Sequence, residues 1–318
     1  MAESQTSFFS TLSPRSLLWL FRRTFTEWLQ DKAPQLGAAL AYYTVFSLAP
    51  LILVLLAIVG VVFRNDPAGA WQRITQEMSA FMDPSGVKVV QDIAETAAKP
   101  SAGVWATVIG VALALFGASG VFGQLQDALN TIWGVKAKPG AAIWDYIRIR
   151  FLSFAMVAGI CFLLLVTLVI EAVLKGVSHY LETALPGGAA FAFTIYLLVD
   201  LSLVMVLFAM MFRYLPDVEV RWRDVWVGSA MTALLFLLGK WALGLYLGSG
   251  AAGSAYGAAS SLVTLLLWIY YSSQILLFGA EFTQVYANRY GAGIRPSDHA
   301  VAIEATEVET STPGQPSR

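Results

Sequence analysis

The stretch VWVGSAMTALLFLLGKWALGLYLG, Val225–Gly248, decides the class of this protein: it is apolar over the length of a bilayer crossing and broken by one charge, Lys240. A helix of about 20 apolar residues spans the hydrocarbon core of a membrane. An ammonium group inside such a helix costs about 2.5–3.5 kcal/mol on insertion scales. Lys240 is therefore expected to face protein or a wet cavity and not lipid. The run before it carries the opposite charge, Asp200 in LLVDLSLVM, and these two are the formal charges read as lying clearly inside spans. Counted at about 1.5 Å per residue from Ala190 and Trp226, their depths differ by about 6 Å, within the reach of a lysine stem. An Asp200–Lys240 pair is the expectation.

The whole chain has the same character. Of 318 residues, 57% are hydrophobic and 13% charged, and the mean hydropathy is +0.65, whereas soluble domains carry about 25% charged residues. A net charge of −1 gives no reason to expect a nucleic-acid partner. The lone Cys161 excludes an intramolecular disulfide and a cysteine-based metal cluster. His179 and His299 stand far apart, with no second imidazole or carboxylate at ligand spacing, so neither a metal nor a cofactor is expected, nor enzymatic chemistry. The apolar run after Arg22 and Arg23 begins too late and runs too long for a cleavable signal core.

Hydropathy divides the chain into an all-α, polytopic design. Residues 1–12 read as disordered, and Ser13-Pro14 then supplies a cap and a first-turn proline for a helix to about Asp31. Its apolar residues recur at helical spacing against Arg15, Arg22, Arg23 and Glu27, the pattern of an N-terminal helix lying in the membrane interface. Six spans are expected at about 36–63, 102–122, 151–173, 190–212, 225–247 and 260–282, making 13–290 one membrane domain. Asp66-Pro67 and Asp83-Pro84 mark the starts of two short amphipathic helices, a cap over 64–99 on one side of the membrane. Residues 291–318, rich in Pro, Ser, Thr and Glu, read as a disordered tail. Thirteen basic residues fall in the segments on the side of the two termini, against five on the other side. The positive-inside bias puts both termini in the cytoplasm and the cap outside.

Polar groups at membrane depth are the candidate site. Pro50 interrupts the first span, with Tyr43 and Ser47 on the N-terminal side of the break, and Gln124 and Asp127 sit at the polar end of the second span. With Asp200 and Lys240 these form the candidate intramembrane constellation. Packing alone accounts equally well for a proline kink with nearby hydroxyls. Gly117, Gly120 and Gly123, three apart, are expected to let a neighbouring backbone come close, and Gly244 and Gly248 form a GxxxG packing pair. GSGAAG, Gly248–Gly253, matches a dinucleotide-binding pattern in letters only, because it joins two membrane spans and not a strand and a helix.

Four blocks in order, GAALAYYTVFSLAPLIL, FGASGVFGQLQDALNTIW, RYLPDVEVRWRDVWVGS and LLLWIYYSSQILLFGAEFTQVY, resemble those of the YihY/BrkB family over about Arg15 to Tyr290. The resemblance implies a bacterial inner-membrane protein, BrkB-like and formerly labelled a ribonuclease, and it assigns no catalytic residue. Together with the residues it favours transport of a small solute or an amphiphile such as a lipid. The alternative is a non-transporting envelope scaffold whose cap docks a protein partner, with the charges a structural pair. A ribonuclease is least supported, since neither a basic aromatic groove nor a metal cluster is present in the sequence.

Overall fold

The computed structural model describes residues 13–62, 65–81, 84–98, 120–138, 188–248, 260–298 and 300–303. Residues 1–12 and 304–318, the expected second span up to residue 119, the expected third span, Cys161, Gly117, both histidines and the loop after Gly248 lie outside them. The helices are α1 (Pro14–Gln30), α2 (Ala33–Val62), α3 (Pro67–Phe81), α4 (Pro84–Ala98), α5 (120–132), α6 (Gly188–Tyr214), α7 (Trp222–Gly248) and α8 (Ser260–Tyr290). Among the described residues, three helical segments are long and apolar enough to cross a membrane: Phe193–Tyr214, Trp222–Leu245 and Leu262–Tyr290. The helix through the first expected span is continuous past Pro50.

Local chemistry sets the helix starts. Ser13 caps α1, its Oγ accepting from the Ser16 N–H at 3.2 Å, with Pro14 in the first turn. Asp66 does the same for α3, its carboxylate accepting from Gly69 N–H at 2.8 Å. Between α1 and α2 the chain reverses through Lys32, held at φ 54°. Helix α1 has two apolar faces. Phe21 stacks over Phe278 and Phe282 of α8 at 6.3 and 5.8 Å, while Leu18, Phe25 and Leu29 are uncovered by protein.

The core is the buried junction of α2, α5, α6, α7 and α8, with Leu129, Phe212, Val225 and Leu277 fully enclosed. The α7–α8 seam is the tightest contact. A Cβ at Gly228 would lie 1.7 Å from Thr283 Oγ1, and one at Gly279 would lie 2.0 Å from Thr232 Oγ1. Each threonine hydroxyl bonds back to its own helix, Thr232 to the Gly228 carbonyl at 2.7 Å and Thr283 to the Gly279 carbonyl at 2.6 Å. Two Gly-xxx-Thr units therefore interlock across antiparallel helices, each threonine seated on the other helix's glycine. Neither Gly228 nor Gly279 is among the glycines that spacing alone singles out. Among the described residues, a Cβ at Gly120 would meet only a Tyr43 ring carbon at 3.9 Å, and one at Gly123 or Gly244 would meet nothing within 4 Å.

The expected cap segments are helical. Helix α4 packs on both α2 and α8, and α3 on α2 and α4. The tail departs from expectation. Residues after Tyr290 fold back as β3 (Arg295–Pro296) and β4 (Ala300–Ala302), pairing antiparallel with β2 (Val218–Glu219) and β1 (Val135–Ala137). Ser297 N–H also donates to the Asp217 carbonyl at 3.0 Å, and Ile303 N–H to that of Gly134 at 2.8 Å. The segment to Ile303 is thus held by backbone bonds against the ends of α5 and α6, whatever its composition.

Candidate functional site

Helices α6 and α7 bring Lys240 Nζ to 3.9 Å from Asp200 Oδ2. At that distance the two attract as charges without a direct hydrogen bond. Their side chains are 21% and 15% exposed, so each is largely withdrawn from solvent yet not sealed in. Asp200 also forms part of the wall of a partly open cavity of about 430 Å³, lined by residues of α2, α5, α6, α7 and α8. That volume is within the roughly 300–1,000 Å³ of small-molecule sites. The wall is mostly Leu, Val, Phe and Trp, among them Phe208, Phe236 and Trp268, with Thr44, Ser272 and Ser273 as its hydroxyls. Ser272 Oγ is buried without a hydrogen-bond partner, a donor left open on an otherwise apolar surface.

The other expected site residues are not gathered here. Ser47 is buried but donates to the Thr44 carbonyl one turn back, and Tyr43 is well exposed, its ring edge-on to Tyr42. Nothing is described of the Pro50 side chain. Gln124 and Asp127 are outside the cavity wall, to which α5 contributes Val121 and Leu125.

The polar end of α5 has a different job. Asn130 and Gln126 donate to Asp217 Oδ2 at 2.9 and 3.2 Å, and Asn130 Oδ1 accepts from the Asp217 N–H at 2.8 Å. These amides clamp the α6–α7 connection. Asp127 stands on the exposed face of α5, and its partial burial, and then the charge of Asp217, raise its carboxyl above its ordinary value.

A buried acid escaped the sequence reading, which counted only Asp200 and Lys240 inside spans. Glu281 of α8 is fully buried, and among the described residues neither carboxylate oxygen meets a donor in good hydrogen-bonding geometry. Its acidic neighbours are Asp31, at the α1–α2 turn, and Glu27. Burial raises the Asp31 carboxyl, opposed by its interaction with Glu281 and reinforced by the charge of Glu27. The α1 face against α8 adds Thr24 Oγ1 and Trp28 Nε1, also unpartnered. The signal was present in FGAEFTQVY, a glutamate one turn before the end of an apolar run, where it reads as interfacial.

Comparison with known proteins places these features in a family. The family described as Virulence factor BrkB matches residues 24–304, which takes in the folded part of the tail. A UPF0761 membrane protein of Delftia acidovorans is 30% identical over 261 residues, covering 80% of this chain and 58% of that protein. One from Tolumonas auensis is 25% identical over 287 residues, covering 86% of both. One from Pseudomonas aeruginosa is 27% identical over 255 residues, covering 79% of this chain and 58% of that protein. This chain thus spans less than two thirds of the Delftia and Pseudomonas relatives. No solved structure matches it. With several membrane-length apolar helices and a family match over most of its length, the chain is a membrane protein belonging to the YihY/BrkB family.

Proposed function

We propose that the chain is an inner-membrane transport protein, not an enzyme, that moves a small solute or amphiphile across the membrane or between its leaflets. In this reading it crosses six times, both termini are cytoplasmic, and α3–α4 form an extracytoplasmic cap. The observation that carries the proposal is the cavity of about 430 Å³ with Asp200 in its wall and Lys240 3.9 Å from that carboxylate. A charged group beside an apolar chamber suits a ligand with a polar head and an apolar body, since buried polar groups require partners. Ionisable residues within spans mark substrate or ion pathways more often than they serve packing. Membrane lipids are accordingly the first ligands to test.

A scaffold reading draws on a different observation. The α3–α4 pair is held on α2 and α8 and offers a folded surface for an envelope partner. Reconstituted vesicles separate the two. Wild-type protein should carry a member of a solute and lipid panel under an imposed pH or sodium gradient, and the Asp200→Asn/Lys240→Met double variant should fold but fail to do so. A folded wild type inert to the whole panel, or a double variant with full activity, would sink the transport proposal.

A further inference from the structure

A second recess, of about 400 Å³, lies where α6 ends, α7 begins and the chain turns back after α8. Arg213, Arg221 and Arg295 line it, with Glu219 as its carboxylate and the Trp222 ring in its wall. Three guanidinium groups against one carboxylate leave an excess of two positive charges. Among the described residues, no carboxylate lies within 4 Å of any of the three arginines. Arg213 is fixed in place: one Nη donates to the Val220 carbonyl and the guanidinium sits 6.0 Å from the Trp222 ring centre. Among the described residues, no other hydrogen bond engages its remaining N–H groups.

The depth of the recess identifies the ligand's source. Two of the membrane-length segments meet at it, Phe193–Tyr214 ending and Trp222–Leu245 beginning. Tyr214, Trp222 and Trp226 follow one another with ring centres 5.9 and 6.1 Å apart, and all three are exposed. Exposed Trp and Tyr at the ends of spans occupy the headgroup level of a bilayer. From Trp226 an uncovered apolar stripe continues along α7 through Leu234, Leu238, Trp241 and Leu245. An anion held by the arginines would have acyl-chain surface directly beside it. Arginine forks match phosphate oxygens, and basic pockets at the membrane surface bind anionic lipid headgroups.

We propose that Arg213, Arg221 and Arg295 bind the phosphate of an anionic phospholipid, with its acyl chains lying on the α7 stripe. The site does not depend on transport. Native mass spectrometry of the full chain released from phosphatidylglycerol, phosphatidylcholine or mixed nanodiscs tests it. Wild type should retain phosphatidylglycerol in preference to phosphatidylcholine. The exposed pair Arg221→Gln/Arg295→Gln should weaken that retention by about thirtyfold, about fivefold for each cation at the membrane surface. Lysine at both positions should restore most of it. A wild type that does not distinguish the two lipids overturns the proposal whether or not the variant folds, as does a folded double-glutamine variant that keeps its lipid. Release of the lipid by millimolar inorganic phosphate would make soluble phosphate the ligand and overturn the lipid assignment.

Discussion

The interlocked seam between α7 and α8 gives the sharpest test of the packing. At Gly279 an added methyl would stand 2.0 Å from Thr232 Oγ1, 2.6 Å from its Cγ2 and 2.8 Å from its Cβ. Real Cβ contacts almost never fall below 3.0 Å, so the neighbour must move by about 1 Å. It cannot do so cheaply. Threonine has few χ1 choices in a helix, and its hydroxyl is engaged with the Gly228 carbonyl. The helices themselves must part, at the roughly 1–3 kcal/mol typical of overpacking. Alanine in place of helical glycine returns up to about 1 kcal/mol. Gly279→Ala should therefore be net destabilising by up to about 2 kcal/mol, and Gly228→Ala, with its 1.7 Å approach, by at least as much. Gly123→Ala and Gly244→Ala, which meet nothing within 4 Å among the described residues, should be neutral or stabilising. Thr232→Ala removes the two nearest atoms, so combining it with Gly279→Ala should recover part of the loss as a non-additive term. Reversible SDS unfolding of purified protein reads all of these. If the seam glycines tolerate alanine as well as Gly123 and Gly244 do, the helices are not in this contact and the reasoning fails.

Further predictions test other parts of the molecule. Asp200→Asn and Lys240→Met should each destabilise more than the double variant does, by up to about 3–5 kcal/mol if the stranded charge is fully buried and by less given their partial exposure; strictly additive losses would mean the residues do not interact. Asp217→Ala leaves the buried amides of Gln126 and Asn130 without their carboxylate, and should cost about 1–3 kcal/mol in the same assay; an unchanged midpoint would refute the clamp. The raised Asp127 carboxyl favours the folded state fully below its ordinary value of 3.8, and that contribution is lost as pH rises through the raised folded value. Asp127→Asn should therefore flatten the decline in stability above about pH 4, a slope that equilibrium unfolding across pH measures directly. Single cysteines at Ser85 and Ser297 in a Cys161→Ala background should label from opposite sides of the membrane; labelling from one side would sink the topology.

What could be read in advance follows from the range over which each signal acts. Apolar runs and caps are local, so α1, α2, α6, α7 and α8 and the proline-led starts of α1 and α3 were legible from neighbouring residues. The Asp200–Lys240 contact was legible because an isolated charge in a span demands a partner, and few partners are on offer at that depth. Glycine spacing reports only what one helix permits. Among the described residues, Gly123 meets nothing within 4 Å and Gly120 only a Tyr43 ring carbon at 3.9 Å, whereas Gly228 and Gly279 are tight because each faces a threonine some 50 positions away. Likewise, nothing beside Gln126 and Asn130 in the sequence announces their partner, Asp217, which lies 91 and 87 positions along the chain. The tail shows the same limit at its strongest. Strands of two and three residues offer no alternation to detect, and their bonds are made by backbone groups that every residue carries. Composition alone therefore misses Arg295–Pro296 and Ala300–Ala302, which pair with partners supplied by the ends of α5 and α6.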